Sequence, residues 1–218
     1  MSHNRLLLAL QKKKERRSRG LFIIEGEKFV KDAGDMVEFV FTRRDTSIFD
    51  EVVSTDSPQN VAAVARIPTF TLDDLKKKST IIVLDGVQDP GNVGTVLRAA
   101  LAFHAGVILI ESADPTSPKV ARASVGAVLR TPWVEIPRED AEETLQAMRR
   151  KIYRLELRKD AIGPAQLPRE PVLLIVGNEG QGIRLDIQAP SVAIAHSDKL
   201  ESLNLGLAVG IILYERSK

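Results

Sequence analysis

LDGVQDPGNVGTVLRAA, residues 84–100, reads as an apolar strand ending at Asp85, a turn through Asp89-Pro90-Gly91-Asn92, and a helix from Val93 onward. Asn92 is placed as the N-cap, which leaves backbone N–H groups at the helix start able to bind an anion. Arg98 follows six residues later and is placed to project from roughly the same side. The same residues also read as an ordinary capped helix with a surface arginine. Two later segments share this construction, IVGNEGQGI at 175–183 and KLESLNLGLAVGIILYE at 199–215. Each sets polar side chains at the end of an apolar element, namely Asn178 and Glu179 in the first and Ser202 and Asn204 in the second.

Working outward, strand-like runs alternate with helical ones. IIVLD (81–85), VILIE (107–111), WVEI (133–136), YRLEL (153–157), VLLIVG (172–177) and VAIAH (192–196) are β-branched and short. Between and after them lie GTVLRAALAF (94–103), PKVARASVGAVL (118–129), AEETLQAMRRK (141–151) and LNLGLAVGIILYE (203–215). This alternation predicts an α/β fold with a mostly parallel sheet covered by helices on both faces. Upstream, GLFIIEG (20–26) and VEFVFT (37–42) read as strands, GEKFVKDAGDM as a short helix, and SPQNVAAVARI (57–67) as a turn or helix start. The expected organisation is a small N-terminal α/β domain over 1–70, a linker over 71–79 and a larger α/β domain over 80–218.

Composition narrows the chemistry. With 218 residues, 44% hydrophobic and 28% charged, the chain can bury a core. It has no cysteine and only His3, His104 and His196, so disulfide and thiolate chemistry are excluded and no metal site is expected. The apolar run LLLAL lies ahead of the basic block and is too short for a signal sequence, and no apolar stretch reaches the roughly 18 residues of a membrane span. A cytoplasmic protein is expected. Residues 1–79 hold 15 Lys/Arg against 12 Asp/Glu. Within them Arg5, Lys12, Lys13, Lys14, Arg16, Arg17 and Arg19 face the single acid Glu15. Such a block attracts phosphate backbones by releasing counterions, and it reads equally as a solvated helix end.

GNEGQG lacks the GxGxxG spacing and no GxxxxGK[ST] occurs, so hydride and phosphoryl transfer are not supported. The glycines at 177, 180 and 182 still let a flat ligand approach the backbone at a strand's C-terminal edge. LNLGLAVGIILY is apolar nearly all round, with Gly206 and Gly210 four apart, which predicts a buried helix closely approached by a neighbour. Ser202 is placed to cap it, with Asn204 in its first turn.

DPGNVGTVLRAA, VGNEGQG and ESLNLGLAVGIILYE, in this order, strongly resemble the three motifs of the SpoU/TrmH branch of the SPOUT RNA ribose 2′-O-methyltransferases, and KVARASVGA (119–127) is similar to an intervening segment. RSRGLFIIEGEKFVKDA and TDSPQNVAAVA resemble the family's N-terminal RNA substrate-binding domain, so the resemblance covers nearly the whole chain. It implies a C-terminal trefoil knot holding S-adenosylmethionine, with Gly177, Ile194, Leu203, Leu157 and Asn178 on the cofactor side. It implies Arg98 as the catalytic arginine, with Asn92, Glu179, Ser202 and Asn204 holding it and the substrate. It also implies a homodimer through the C-terminal domain, each site drawing part of itself from the partner. The methyl donor carries its own activating charge, so no metal is called for.

One stretch departs from that pattern. Where the family resemblance leads one to expect IPMxGxxxSLN, this chain has IAHSDKLESLN, with Ala195, His196 and Asp198 in place of proline, methionine and glycine. His196 reads as a partly exposed loop histidine. The resemblance points to structured RNA as partner, ribosomal RNA ahead of transfer RNA. The alternatives are an RNA-binding protein of the same fold that has lost methyl transfer, and a methyltransferase acting on a base.

Overall fold

The computed structural model describes residues 3–53 and 60–218. The chain opens with two short helices, α1 (His3–Ala9) and α2 (Lys13–Arg19). Then come β1 (Leu21–Glu25), α3 (Glu27–Ala33), β2 (Val37–Thr42), α4 (Phe49–Val52) and β3 (Val61–Arg66). The three strands form an antiparallel sheet in the order β1-β3-β2. Its two faces sort residues with period two: Phe22, Ile24, Ala63 and Ala65 enter the main core, while Ile23, Ala62 and Val64 pack with Leu7, Leu10, Phe41 and Phe49 beneath α1 and α4.

The expected turn or helix start at 57–67 is corrected here. Residues 57–59 lie outside the described residues, and 61–66 are the central strand. Alanine-rich VAAVAR favours a helix locally. Burial of residues 62–65 between two partner strands overrides that preference.

The 71–79 segment is not a bare connector. It carries α5 (Leu72–Lys76), started by a reciprocal cap between Thr71 and Asp74, and its Leu75 is fully buried against the second sheet. Then follow β4 (Thr80–Asp85), α6 (Pro90–Ala102), β5 (Gly106–Ile110), α7 (Pro118–Ala123), β6 (Trp133–Glu135), α8 (Arg138–Ala147), β7 (Lys151–Leu155), β8 (Val172–Gly177), β9 (Ser191–Val192) and α9 (Leu205–Ser217). The sheet runs β6-β5-β4-β8-β7-β9 with every pairing parallel. Strand β4 is buried along its whole length because both its faces are covered. Ile82 and Leu84 meet α6, α7 and α9 on one side, and Ile81 and Val83 meet α5 and α8 on the other.

The two sheets are bolted together by Arg16. Only 4% exposed, it donates to Asp114 Oδ2 at 2.5 Å, Thr116 Oγ1 at 3.2 Å and the carbonyls of Leu10 and Gln11. Burial alone would raise the pKa of Asp114, but the hydrogen bonds from Arg16 and Thr116 outweigh it and hold the carboxyl below its usual range. Arg17 reaches Asp114 and Glu135, and Lys13 reaches Glu135 at 3.0 Å. Much of the basic block is thus engaged within the molecule. Lys12, Lys14 and Arg5 are its exposed members without an ion pair among the described residues. No helix among the described residues is long and apolar enough to cross a membrane.

Three of the element boundaries that differ from expectation bear on the site. Helix α6 begins at Pro90 with Asp89 as its cap, the Asp89 carboxylate accepting from the Asn92 N–H at 2.9 Å. Strands β7 and β9 end at Leu155 and Val192 rather than 157 and 196. They pair only that far, and beyond it the two chains separate to wall a cavity.

Candidate active site

The cavity opens at the C-terminal ends of β8, β7 and β9 and has a volume of about 210 Å³. Gly177, Asn178 and Glu179 form one wall, Leu157 and Ile194 another, and Ser202 and Leu203 a third. His196, Glu156, Glu201, Val176, Leu205 and Ala208 are also part of the lining. Seven of the ten predicted site residues therefore share one space. Leu157 stands at the rim, 72% exposed.

The Gly177–Gly182 loop is fixed by its own backbone. Asn178 and Gly182 exchange both N–H···O bonds, at 3.1 and 2.8 Å. The Asn178 side chain accepts from the N–H groups of Gly180 and Gln181 and donates to the Gly86 carbonyl, tying this loop to the one after β4. A Cβ on Gly177 would stand 2.2 Å from the Gly182 carbonyl carbon, so the hairpin itself demands glycine there. Asn178 is accordingly the scaffold of the loop, with its amide committed to backbone.

Asn92, buried, and Asn204, exposed, lie outside the cavity lining but connect to it. Asn204 donates through Nδ2 to Asn92 Oδ1 at 2.8 Å, and Asn92 donates through Nδ2 to the Glu179 carboxylate. Three sequence-distant motifs meet in this relay. The expected capping roles are corrected: Asn92 is the third residue of α6 and buried, and Asn204, not Ser202, caps α9 by accepting from the Leu207 N–H at 3.1 Å. Ser202 lines the cavity and makes no hydrogen bond among the described residues.

Arg98 is elsewhere. Six residues of α-helix turn through about 240° relative to Asn92. Asn92 consequently points into the protein and Arg98 points out, exposed and without an ion pair among the described residues. The expectation that the two share a side is overturned by helical geometry. Close packing was foreseen correctly at Gly206, where a Cβ would lie 2.6 Å from Thr95 of α6, but Gly210 faces open space.

The electrostatics suit a cation. For Glu156, burial works against ionisation, yet Arg154, Ser191 and Arg158 hold it below its usual value. Glu179 has only the neutral Asn92 amide, and Glu201 forms no ion pair among the described residues. Two carboxylates without cationic partners therefore line a cavity whose remaining wall is largely aliphatic. An adenine fits the aliphatic wall, and a sulfonium or ammonium fits the carboxylates. His196 also lines this space, its Nδ1–H donating to the Ile194 carbonyl at 2.8 Å.

Sequence reasoning missed Asp85, fully buried at the end of β4. Its Oδ2 accepts from the N–H groups of Arg184 and Leu185 at 2.6 and 2.8 Å, and its Oδ1 from Arg138 at 2.6 Å. Arg138 and Arg184 also both reach Glu111 and hold its carboxyl below the usual range. This cluster clamps the chain leaving the Gly177–Gly182 loop. The available signal was an acid closing a wholly apolar strand.

Comparison with known proteins fits this geometry. Residues 79–214 match the model of the SpoU rRNA Methylase family. The chain is 32% identical over 180 residues to an uncharacterized tRNA/rRNA methyltransferase of Synechocystis sp., covering 77% of this chain and 64% of that protein. It is 30% identical to the 23S rRNA (guanosine(2553)-2′-O)-methyltransferase RlmP of Bacillus subtilis, covering 94% of this chain and 92% of that one. Among solved structures, the AdoMet-bound rRNA methyltransferase from Sinorhizobium meliloti superimposes with a TM-score of 0.83 at 27% identity, covering 97% of this chain and 92% of that one.

Proposed function

The chain belongs to the SpoU rRNA methylase family, and from that premise we propose that it transfers a methyl group from S-adenosylmethionine to a ribose 2′-hydroxyl of structured RNA, ribosomal RNA in preference to transfer RNA. The observation that carries this is the relay from Asn204 through Asn92 to Glu179 at the edge of a cavity with an acidic and aliphatic lining. Relatives named as ribose methyltransferases of 23S rRNA support the preference.

The residues present fit the cofactor: Gly177, Asn178, Leu157, Ile194 and Leu203 would hold it in the cavity. When bound, it supplies a methyl group activated by a positively charged sulfur. The protein's own contribution is orientation. A ribose hydroxyl is a weak nucleophile that must be held in line with the methyl carbon. The relay fixes the Glu179 carboxylate, and Ser202 offers an uncommitted hydroxyl beside it. Arg98 positions the hydroxyl and its neighbouring phosphate. A guanidinium keeps its proton at neutral pH and is a poor base, so its part is alignment and charge.

Arg98 reaches a site if two copies pair. Leu207, Ile211 and Tyr214 form an apolar stripe along α9, with Leu207 52% and Tyr214 51% exposed, and Leu101 of α6 continues it. Arg98 lies one turn from Leu101 on the same exposed flank of α6. Pairing through this stripe buries it in a homodimer and carries Arg98 toward the partner's cavity. The C-terminal segment would complete a trefoil knot around the cofactor, and residues 1–70 and 80–218 would act as RNA-binding and catalytic domains joined by 71–79. A cytoplasmic setting is the one this substrate requires.

The test is to compare ribose methylation of ribosomal and transfer RNA from cells with and without the gene. Loss of one 2′-O-methyl group from ribosomal RNA is expected. Unchanged ribose methylation in both RNAs would contradict the reading.

A further inference from the structure

Eleven of the eighteen arginines form ion pairs among the described residues, and seven do not. Four of those seven, Arg149, Arg150, Arg169 and Arg216, gather at one place. It is the edge of the large sheet where β4, β8 and β7 begin, opposite the cavity. The register brings these starts together, Thr80 and Lys151 both pairing with Val172. Arg150 donates to the carbonyls of Lys76 and Lys78. Arg216 donates to Thr80 Oγ1 at 2.8 Å and to the carbonyls of Pro168 and Glu170.

Lys78 and Lys151 add two more cations without ion pairs among the described residues, whereas Lys76, Lys77 and Lys218 keep acidic partners. Glu170 is the acid of this edge that has no ion pair. Arg169, Arg216 and Lys218 line a hollow of about 160 Å³. Burial lowers the pKa of Arg150 and Arg216, so anions at this edge would favour their charged forms. Arg149 adds a separate observation. It holds a left-handed backbone with φ +52°, a conformation glycine adopts without strain and arginine does not. The strained position carries a cation pointing to solvent.

We propose that this edge is a second docking surface for the phosphate backbone of the RNA substrate, on the far side of the sheet from the cavity. The inference rests on the RNA reading above and adds a size requirement. The six residues of β4 separate the two edges by roughly 17–20 Å. An RNA that touches both is larger than one short stem placed over the cavity. A folded domain of ribosomal RNA has that reach.

The test uses the full chain and a 23S rRNA transcript, with binding measured across a salt series. The variants are Lys151→Glu with Arg169→Glu, both exposed, and separately Arg149→Gly, which removes the cation while leaving the backbone unstrained. The double variant is expected to bind at least about tenfold more weakly near 0.15 M salt, with a log K against log salt slope shallower by about one to two units. Arg149→Gly is expected to weaken binding severalfold without lowering the melting temperature. Calorimetric affinity for S-adenosylmethionine should be unchanged in both. Affinity and slope equal to the parent's in both variants would overturn the inference while leaving the RNA reading intact. A parent that binds no ribosomal RNA overturns both. A loss seen on anionic vesicles but not on RNA would assign the edge to a membrane and overturn the inference.

Discussion

Asn92 and Arg98 divide the labour of one helix by the direction in which each points. Buried Asn92 takes a hydrogen bond from Asn204 and gives one to Glu179. Asn92→Ala removes both, leaving polar groups of two motifs unmatched. The expected cost is about 1–3 kcal/mol in stability, read by denaturant unfolding, with a loss of turnover larger than any loss of cofactor affinity. Arg98→Ala should do the converse. Its side chain is exposed and has no ion pair among the described residues, so the melting temperature should stay at the parent value and calorimetric binding of S-adenosylmethionine should persist, while methyl transfer falls to background. Normal turnover in that variant would remove Arg98 from the account. At this scale the sequence carried much of the chemistry, because polar residues at the ends of apolar runs stand out. It could not carry orientation: Asp89, the cap just ahead of Pro90, was passed over for Asn92, and Arg98 was given the wrong flank. Asp85 was hidden because its partners, 53 to 100 residues away, are backbone and side-chain groups that no local pattern announces.

Among the elements, α2 is the one whose charge has been most redirected. A basic block that suggests RNA contact spends Lys13, Arg16 and Arg17 on Asp114 and Glu135. Arg16→Ala leaves Asp114 buried without its main partner and should destabilise the protein by about 3–5 kcal/mol. The pH dependence has a definite sign. Asp114 is held below its usual range in the folded state, so the stability it contributes is complete above the ordinary aspartate pKa near 4 and drains away as pH falls through the lowered folded value. In Arg16→Ala the carboxyl is no longer held down, so this acid-dependent loss should shrink and the melting temperatures of variant and parent should converge as pH falls below about 4. An acid limb unmoved by the substitution would show that the pair contributes nothing. The parallel strands were legible because strands covered on both faces must be apolar throughout, as in β4 and β8. Strand β3 was not, since its alanines carry a helical preference that only its two neighbours defeat. The early ends of β7 and β9 were also illegible, because the strands stop where they part around a cavity and not where their composition changes.

For the whole molecule, the proposed homodimer would cover the exposed stripe on α9 and bring the outward Arg98 to the partner's cavity. Leu207→Glu with Tyr214→Glu places charge in that stripe and should shift sedimentation from dimer to monomer, with methyl transfer lost alongside. A dimer that survives both changes would place the interface elsewhere. The central claim is methyl transfer to a ribose hydroxyl, and it can be read chemically without cells. Purified protein, S-adenosylmethionine with a labelled methyl group and an unmodified 23S rRNA transcript would be incubated, and the digested product analysed by mass spectrometry. Label is expected in a single 2′-O-methylated nucleoside and is expected to be absent with Arg98→Ala. Label on a base, or no transfer despite bound S-adenosylmethionine and bound RNA, would contradict the claim.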